Sequence, residues 1–346
     1  MTAVLGTPLL GRAIAADGTP LDGRAEPRGA HRPLALEPPA PGARAAIRAP
    51  FWTGIRALDG PLVFGRGARV GIFGPPGAGK STLLEAIVAG ARADAVVVGL
   101  IGERGREAAR WLERIGPRTT LVCATADRPA AERLHAAERA FAQAAALRAR
   151  GLHVLLLVDS LARVAAAARD VAVAAGEPVG RFGYPASVTA RQARLLESAG
   201  ATPAGSVTLI ATVLSEGPLD LDPVAEAARA ALDGHIVLSR RLAEAGWFPA
   251  IDVPASASRT LADVAAPAHA RAARCLRAAL AALDAARDAR ALGLDPAAGD
   301  PFLARAIGAE AALTAFLRQA SGGSAPTETL MQLSRIADRI DDGYPQ

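Results

Sequence analysis

The sequence predicts an α/β fold with a mainly parallel sheet, followed by a small helical subdomain. From residue 69 to residue 238, short apolar segments alternate with longer alanine-rich ones. Strands that alternate with helices along a chain imply parallel strands joined by crossover helices on both faces of the sheet. A glycine-rich loop joins the first of these strands to the first helix. Beyond residue 259 no strand candidate appears in the sequence, so the C-terminal part is predicted to be helical.

The predicted strands and helices follow this alternation in order. The strands cover residues 69–73, 95–101, 120–124, 154–159, 207–213 and 235–238. The helices cover residues 81–89, 106–115 and 129–150 and, in the C-terminal part, 267–288, 301–319 and 327–341. Leu276, Leu280 and Leu283 recur at helical spacing in the first of these C-terminal helices. Such a stripe is typical of a core face, and a binding groove is the alternative.

The N-terminal segment differs in composition from the rest of the chain. It is rich in Pro, Gly and Arg, and it cannot bury enough apolar surface to form a domain. Asp-Gly turn signals at 17–18 and 22–23 indicate one hairpin within it. We therefore divide the chain into an N-terminal strap at 1–50, an α/β domain at 51–262 that carries the glycine-rich loop, and a helical domain at 263–346.

Composition favours a cytoplasmic protein with a large core. The chain has 346 residues, 51% of them hydrophobic, and no apolar run approaches the length of a membrane span. Its two cysteines, Cys123 and Cys275, are far apart without metal-ligand spacing, which predicts small core residues in a reducing compartment. The net charge of +5 comes from arginines that are interleaved with Asp and Glu. This pattern argues against a nucleic-acid partner.

The glycine-rich loop is the strongest functional signal. Residues 74–81 read GPPGAGKS, a full match to the phosphate-binding pattern G-x-x-x-x-G-K-[ST] between a strand and a helix. Lys80 is the only lysine of the chain, and all 38 other Lys or Arg positions hold arginine. A compact ammonium can lie along such a loop and touch phosphates, whereas a guanidinium is wider. The residues predicted to bind nucleotide phosphates are Gly74, Gly77, Ala78, Gly79, Lys80, Ser81 and Thr82.

Carboxylates follow two later strands. Asp159 ends the apolar strand at 154–159, where a carboxylate can support Mg²⁺ together with the Ser81 hydroxyl. Glu103 and Arg104 follow the strand at 95–101, where the acid could orient water and the arginine could contact a γ phosphate. On spacing alone, an exposed charged turn is the favoured explanation of Glu103, and a helix cap explains Asp159 equally well.

Further motifs resemble one protein family. The segments are GERGRE at 102–107, LDGHIVLSR at 232–240, PAID at 249–252 and SASR at 256–259, together with the phosphate loop. In this order they resemble the ATPase of type III protein secretion and flagellar export, which is similar to the catalytic subunits of the rotary ATP synthase. The agreement runs from about residue 10 to residue 319. The resemblance implies a P-loop NTPase core of the RecA-like type, with ATP and Mg²⁺ as ligands.

The resemblance also implies a role for each matching residue. Lys80 and Ser81 would bind phosphates and Mg²⁺, and Asp159 would support the metal. Glu103 would position the hydrolytic water, and Arg104 would contact the γ phosphate.

The resemblance also implies roles for Phe248 and Arg259. Phe248 would stack on adenine; the alternative from the residues alone is a core position before a turn. Arg259 would be an arginine finger that reaches the site of a neighbouring subunit, an interaction that contributes on the order of 10³ to 10⁵ in rate.

The resemblance to an export ATPase also implies a set of partners. They are other copies of the chain in a hexamer, the export apparatus, stator or regulator proteins, and secreted substrates with their chaperones. At most the protein would be peripheral to the inner membrane.

The chain departs from the family pattern in three places. Family members begin with a β-barrel domain that this sequence lacks, so we expect a weaker ring. Pro218-Leu219-Asp220 replaces a paired acidic segment, and Pro254 stands at a usually apolar position. We expect the latter two to alter communication between subunits without touching the phosphate site.

Two other functions remain open at this point. A non-hydrolysing, regulatory nucleotide-binding paralogue would keep the loop but stay monomeric. An RNA-translocating hexamer shares the rotary core, but it would need an oligonucleotide-binding fold before the strap, and the sequence shows none.

Overall fold

The computed structural model describes residues 2–34, 36–214, 223–320 and 323–341. The chain divides into two compact units. Unit 1 comprises Met1–Ile47, Arg66–Pro76 and Ala93–His235, and unit 2 comprises Arg48–Gly65, Gly77–Arg92 and Ile236–Gln346. The division passes through the phosphate loop itself. The three-part division at residues 50 and 262 stays a prediction.

The strands follow the predicted alternation, with additions at both ends. They are β1 (Thr2–Val4), β2 (Arg12–Ala15), β3 (His31–Pro33), β4 (Pro50–Phe51), β5 (Phe64–Gly65), β6 (Arg69–Gly74), β7 (Ala95–Ile101), β8 (Thr119–Ala124), β9 (His153–Asp159), β10 (Gly200–Ala201), β11 (Ser206–Leu214), β12 (Gly234–Leu238) and β13 (Ile251–Ser258).

The helices lie between the strands and dominate the C-terminal part. They are α1 (Arg56–Asp59), α2 (Lys80–Gly90), α3 (Gly105–Leu112), α4 (Ala130–Arg148), α5 (Leu161–Ala174), α6 (Ala186–Ser198), α7 (Pro223–Ala231), α8 (Arg240–Glu244), α9 (Leu261–Val264), α10 (Pro267–Ala285), α11 (Arg287–Ala291), α12 (Pro301–Leu317) and α13 (Pro326–Ile340).

Unit 1 is built on a parallel sheet with the strand order β6-β11-β9-β7-β8-β2. Every residue of β7, β8 and β9 is buried, as expected for strands covered on both faces. Helix α4 packs on these strands and on α5, and Phe141 of α4 lies in the core with Val97 and Leu156. The predicted α/β class with a mainly parallel sheet is confirmed.

The N-terminal strap contributes a strand to this sheet, which the sequence pattern did not indicate. β2 pairs in parallel with β8, with Ala13 opposite Leu121. The segment is short, but Ala13 and Ile14 are fully buried, so pairing with the sheet is the way it removes apolar surface from water. After the turn at 17–18 the chain returns antiparallel, and Ile14 bridges Pro20 as in the predicted hairpin.

Unit 2 contains the C-terminal helices α10, α12 and α13, which pack on one another. Leu276 and Leu283 are buried and Leu280 is half-buried, so this stripe is mainly a core face. The strand β13 was not predicted, because Pro254 and small residues interrupt its apolar alternation. Among the described residues, the helices are all too short or too polar to cross a membrane.

Candidate nucleotide site

The phosphate loop runs from the end of β6 to the start of α2. Gly79 precedes the helix with φ 87° and ψ 23°, a left-handed conformation that a residue with a side chain adopts only at a cost. No side chain caps the helix at Gly79, and its first turn carries no acidic residue. A helix N-terminus with its N–H groups directed outward attracts anions. The loop therefore has the backbone geometry of a phosphate site.

The side chains of the loop differ in exposure. Ala78 is buried, whereas Gly77 and Thr82 are exposed. Lys80 and Ser81 are half-buried at the first two positions of α2. These two side chains thus occupy the helix start, where the sequence places the phosphate contacts.

Residues 246–249, which we name the base strap, lie in unit 2 beside this loop. The Phe248 ring is 45% exposed, and its Cε1 atom lies 3.7 Å from the position that a Cβ on Gly79 would take. The Arg318 guanidinium stacks over the Trp247 ring at 5.3 Å from its centroid. The structure therefore brings Phe248 and Gly79 together, and adenine stacking on Phe248 stays a prediction.

The two predicted carboxylates lie at the carboxyl edge of the unit 1 sheet. β7 and β9 are neighbours, with Leu100 opposite Asp159, so Glu103 follows β7 at the level where β9 ends. Both acids are buried, with 6% of Glu103 and 8% of Asp159 exposed. The Glu103 side chain is therefore not part of an exposed charged turn, although Arg104 beside it is exposed.

Each carboxylate has a specific partner in unit 1. Arg163 Nη1 lies 3.2 Å from Glu103 Oε2, and the same guanidinium donates to the Gly102 carbonyl oxygen. The Thr212 hydroxyl donates to Asp159 Oδ1 at 2.5 Å. Thr212 lies on β11, the neighbour of β9, and Ala211 pairs with Val158 in that ladder. The arrangement holds both acids in defined orientations.

Burial changes the proton affinity of Glu103. The loss of hydration raises the pKa of Glu103 to about 8, and the charge of Asp159 and a hydrogen bond with Glu107 act in the same direction. The Arg163 guanidinium opposes this shift. A carboxyl group with a pKa near the working pH can accept a proton from water more effectively than an ordinary one. The pKa of Glu103 is therefore raised toward the range that suits a general base, and that role stays a prediction.

The two predicted arginines of the site are both exposed. Arg104 is the residue before α3, and its carbonyl oxygen accepts hydrogen bonds from the first turn of that helix. Arg259 follows β13 between two anchored neighbours: Ser258 Oγ donates to the Val63 carbonyl oxygen, and Thr260 Oγ1 accepts from the Gly65 N–H. The backbone at Arg259 is thus held while its side chain reaches solvent.

The sequence analysis did not identify three residues that contact the predicted site residues. Arg163 pairs with Glu103, Thr212 with Asp159, and Gln319 with the base strap through its N–H and the Phe248 carbonyl oxygen, at 2.9 Å. A threonine in a buried strand and an arginine one turn after Asp159 were available signals. Gln319 carried none, because its partners lie far away in the chain.

The buried carboxylate of Asp159 is of a type that binds Mg²⁺, an ion that takes a few oxygen ligands together with substrate phosphates. Ser81 carries a half-buried hydroxyl at the start of α2. That these two residues hold one ion stays a prediction. Of the predicted departures from the family pattern, Pro218-Leu219-Asp220 lies outside the described residues. Pro254 is exposed within β13.

Comparisons with known proteins agree with this geometry. The profile of the ATP synthase alpha/beta family, nucleotide-binding domain, matches residues 54–258. A type 3 secretion system ATPase of Sinorhizobium fredii is 45% identical over 96% of this chain and 75% of the relative. A flagellum-specific ATP synthase of Salmonella typhimurium is 44% identical over 91% of this chain and 71% of the relative.

A solved structure shares the fold over nearly the whole chain. It is the assembled ATPase EscN in complex with its central stalk EscO, from the enteropathogenic E. coli type III secretion system. The similarity has a TM-score of 0.90 at 41% identity and covers 96% of this chain and 82% of that one. The chain therefore belongs to the ATP synthase alpha/beta family and, within it, to the type III secretion and flagellar ATPases.

Proposed function

We propose that the protein hydrolyses ATP with Mg²⁺ in a homo-oligomeric ring and thereby energises protein export through a type III secretion or flagellar apparatus. The observation that carries the proposal is the buried Glu103, a carboxyl group with a raised pKa, in a chain with a complete phosphate loop. Binding alone needs the loop but no such base. The buried Glu103 therefore favours hydrolysis over a regulatory, non-hydrolysing role.

The phosphate loop would hold the triphosphate. Lys80 neutralises charge on the β and γ phosphates, and the N–H groups at the start of α2 donate to their oxygens. Ser81 and Asp159 would hold Mg²⁺, which when bound neutralises charge on the same phosphates. Thr212 keeps the Asp159 carboxylate in its orientation.

The carboxylate side would supply the base. Glu103 orients the attacking water and accepts its proton at a carboxylate oxygen as the water oxygen bonds to the γ phosphorus. The bond from the γ phosphorus to the β–γ bridging oxygen breaks in the same step, and ADP leaves with that oxygen. Arg163 holds Glu103 in place, and Arg104 contacts the γ phosphate.

Arg259 would complete the site of a neighbouring subunit. Its exposed side chain, on an anchored backbone, suits a group presented to another copy of the chain. An arginine finger stabilises the charge that develops in phosphoryl transfer. Assembly, in a hexamer by the family resemblance, is then a condition for full activity.

The partners follow from membership of the family. EscN binds a central stalk, so we propose a stalk or regulator protein for this chain as well. The export apparatus and secreted substrates with their chaperones complete the set, and we place the action in the cytoplasm.

The test is ATP turnover per subunit at rising protein concentration, with and without Mg²⁺. We expect a rate that climbs with concentration and needs Mg²⁺. Lys80→Ala should abolish it, and Arg259→Ala should reduce it by roughly 10³ or more. Arg339→Ala, at an exposed arginine of α13, is the matched control and should keep the rate. A low rate independent of concentration, with nucleotide still bound, would instead establish the non-hydrolysing alternative.

A further inference from the structure

We propose that Gln319 is a positioning residue for the nucleotide base. It links the base strap to the Thr53–Gly54 turn, which packs against the C-terminal end of α2. The inference rests on the proposed function, because it concerns how the same ATP is held. All the contacts that carry it lie within unit 2.

Gln319 contacts three residues in two separate segments of unit 2. Its side-chain Oε1 accepts from the Arg56 N–H at 3.0 Å, and its Nε2 donates to the Gly54 carbonyl oxygen at 2.8 Å. Its own N–H donates to the Phe248 carbonyl oxygen at 2.9 Å. A single residue thus joins the base strap to the segment around Gly54, more than 260 positions earlier in the chain.

The Thr53–Gly54 turn is a rigid anchor. Asp59 Oδ1 accepts from the Thr53 N–H at 2.9 Å and from its hydroxyl at 2.7 Å, and Asp59 Oδ2 accepts from the Gly54 N–H at 2.8 Å. Only 1% of Asp59 is exposed. Buried hydrogen bonds to one carboxyl group hold both residues in one conformation. A side chain bound to this turn is therefore fixed in position.

The same turn lies directly against the end of the phosphate-loop helix. A Cβ on Gly90, the last residue of α2, would stand 2.5 Å from the Thr53 carbonyl oxygen. A Cβ on Gly54 would stand 3.0 Å from the Gly90 Cα atom. Helix α2 has 11 residues, and it begins at the predicted phosphate ligands. One helix therefore connects the phosphate contacts to the turn that Gln319 holds.

Arg56 fixes the other side of the junction. Its Nε donates to the Phe316 carbonyl oxygen at 2.8 Å, and its Nη2 donates to the Arg318 carbonyl oxygen at 2.5 Å. These bonds satisfy carbonyl groups at the C-terminal end of α12. Residue 319 is thereby kept where its N–H reaches the strap.

The arrangement predicts a loss that depends on the base. Gln319→Leu removes both side-chain hydrogen bonds while it keeps the approximate size of the side chain. The base strap then loses its fixed spacing from α2, whereas the phosphate loop keeps its own residues. Affinity for ATP should fall roughly tenfold, because the lost bonds contribute moderately to a fixed geometry. Affinity for inorganic tripolyphosphate, which has no base, should stay unchanged.

The experiment measures the binding of ATP and of tripolyphosphate to the full chain for Gln319→Leu. Gln319→Glu keeps the acceptor for the Arg56 N–H but sets an oxygen against the Gly54 carbonyl, so it should lose ATP affinity as well. In a Phe248→Ala background, Gln319→Leu should cause no further loss, because the strap no longer contributes. Gln332→Leu, which removes only a bond with Glu328 in α13, is the matched control and should bind both ligands normally.

Three results would overturn the proposal. Equal losses for ATP and tripolyphosphate in folded Gln319 variants would show a general structural role, and unchanged ATP affinity would show no role. Full additivity with Phe248→Ala would also contradict it. Failure of the proposed function looks different, because the parent chain would then bind ATP but show a low turnover that does not rise with protein concentration.

Discussion

The predicted site residues differ in exposure between the two units: the carboxylates of unit 1 are buried, whereas Phe248 and Arg259 of unit 2 are exposed. Glu103 and Asp159 are almost completely buried, Glu103 just after β7 and Asp159 as the last residue of β9. Phe248 is 45% exposed and Arg259 is exposed at the end of a strand. A carboxyl group must leave water for its pKa to rise, whereas a ring or guanidinium must stay accessible to meet a ligand. Burial thus raises the pKa of Glu103 in unit 1, whereas the side chains of Phe248 and Arg259 in unit 2 stay accessible to solvent.

The strongest test of this contrast is Glu103→Gln. The amide keeps the shape of the side chain but cannot accept a proton, so turnover should fall by roughly 10² to 10⁴. The affinity for ATP should change little. Phosphate release and nucleotide binding measured on the same variant check both parts. A large loss of affinity with normal turnover would assign Glu103 to binding and break the comparison.

The second test is the pH dependence of turnover. The proposed base Glu103 would act in its ionised form, and burial raises its pKa to about 8, so the rate should increase as pH rises through that value. Below it, the rate should fall about tenfold per pH unit, as for any single required ionisation. Arg163→Gln removes the charge that lowers this pKa, so its profile should move to higher pH. A profile that is flat from pH 6 to 9 would contradict a base buried in this way.

The third test concerns the exposed side. Phe248→Ala should weaken ATP binding roughly tenfold, because stacking on a base contributes about 1–3 kcal/mol. Turnover at saturating ATP should be preserved, the reverse of Glu103→Gln. Titration of KM and kcat separates the two effects. Leu294→Ala, at another exposed apolar residue of unit 2, provides a control for lost surface area.

The smallest expected effect belongs to Thr212→Val, which keeps the shape of the side chain. Loss of the hydroxyl removes the 2.5 Å bond to Asp159 and should cost about 1 kcal/mol of Mg²⁺ affinity. The Mg²⁺ concentration for half-maximal turnover should then rise severalfold. Thr208→Val on the same strand, whose hydroxyl accepts from the Gly67 N–H, is the matched control. An equal shift in both variants would indicate a general effect on β11 rather than on the metal.

Local patterns were sufficient to predict the central strands of the sheet and the position of the glycine-rich loop. The strand at 95–101 has the predicted bounds, since an unbroken apolar run between polar turns leaves little choice. The phosphate loop was recognisable because its spacing is set by the ligand. β13 was missed, because its burial comes from neighbours in space rather than from its own alternation.

Contacts between distant positions account for most of what sequence reasoning could not reach. Arg163, near Asp159 in the chain, could have been suspected as a partner of the acids. Gln319 could not, because its side chain binds Gly54 and Arg56, about 260 residues earlier. No periodicity encodes such a pair, and only the folded backbone brings the groups together.

The pairing of β2 with β8 has a consequence for handling the protein. A sheet edge with unpaired N–H and C=O groups is a template for association with other chains. β2 occupies the outer position beside β8, and the ion pair of Arg12 with Asp22 at 2.7 Å holds it there. Removing the chain up to and including β2 would expose the backbone N–H and C=O groups of β8 and favour edge-to-edge aggregation. The N-terminal strap is thus a solubility element of the sheet.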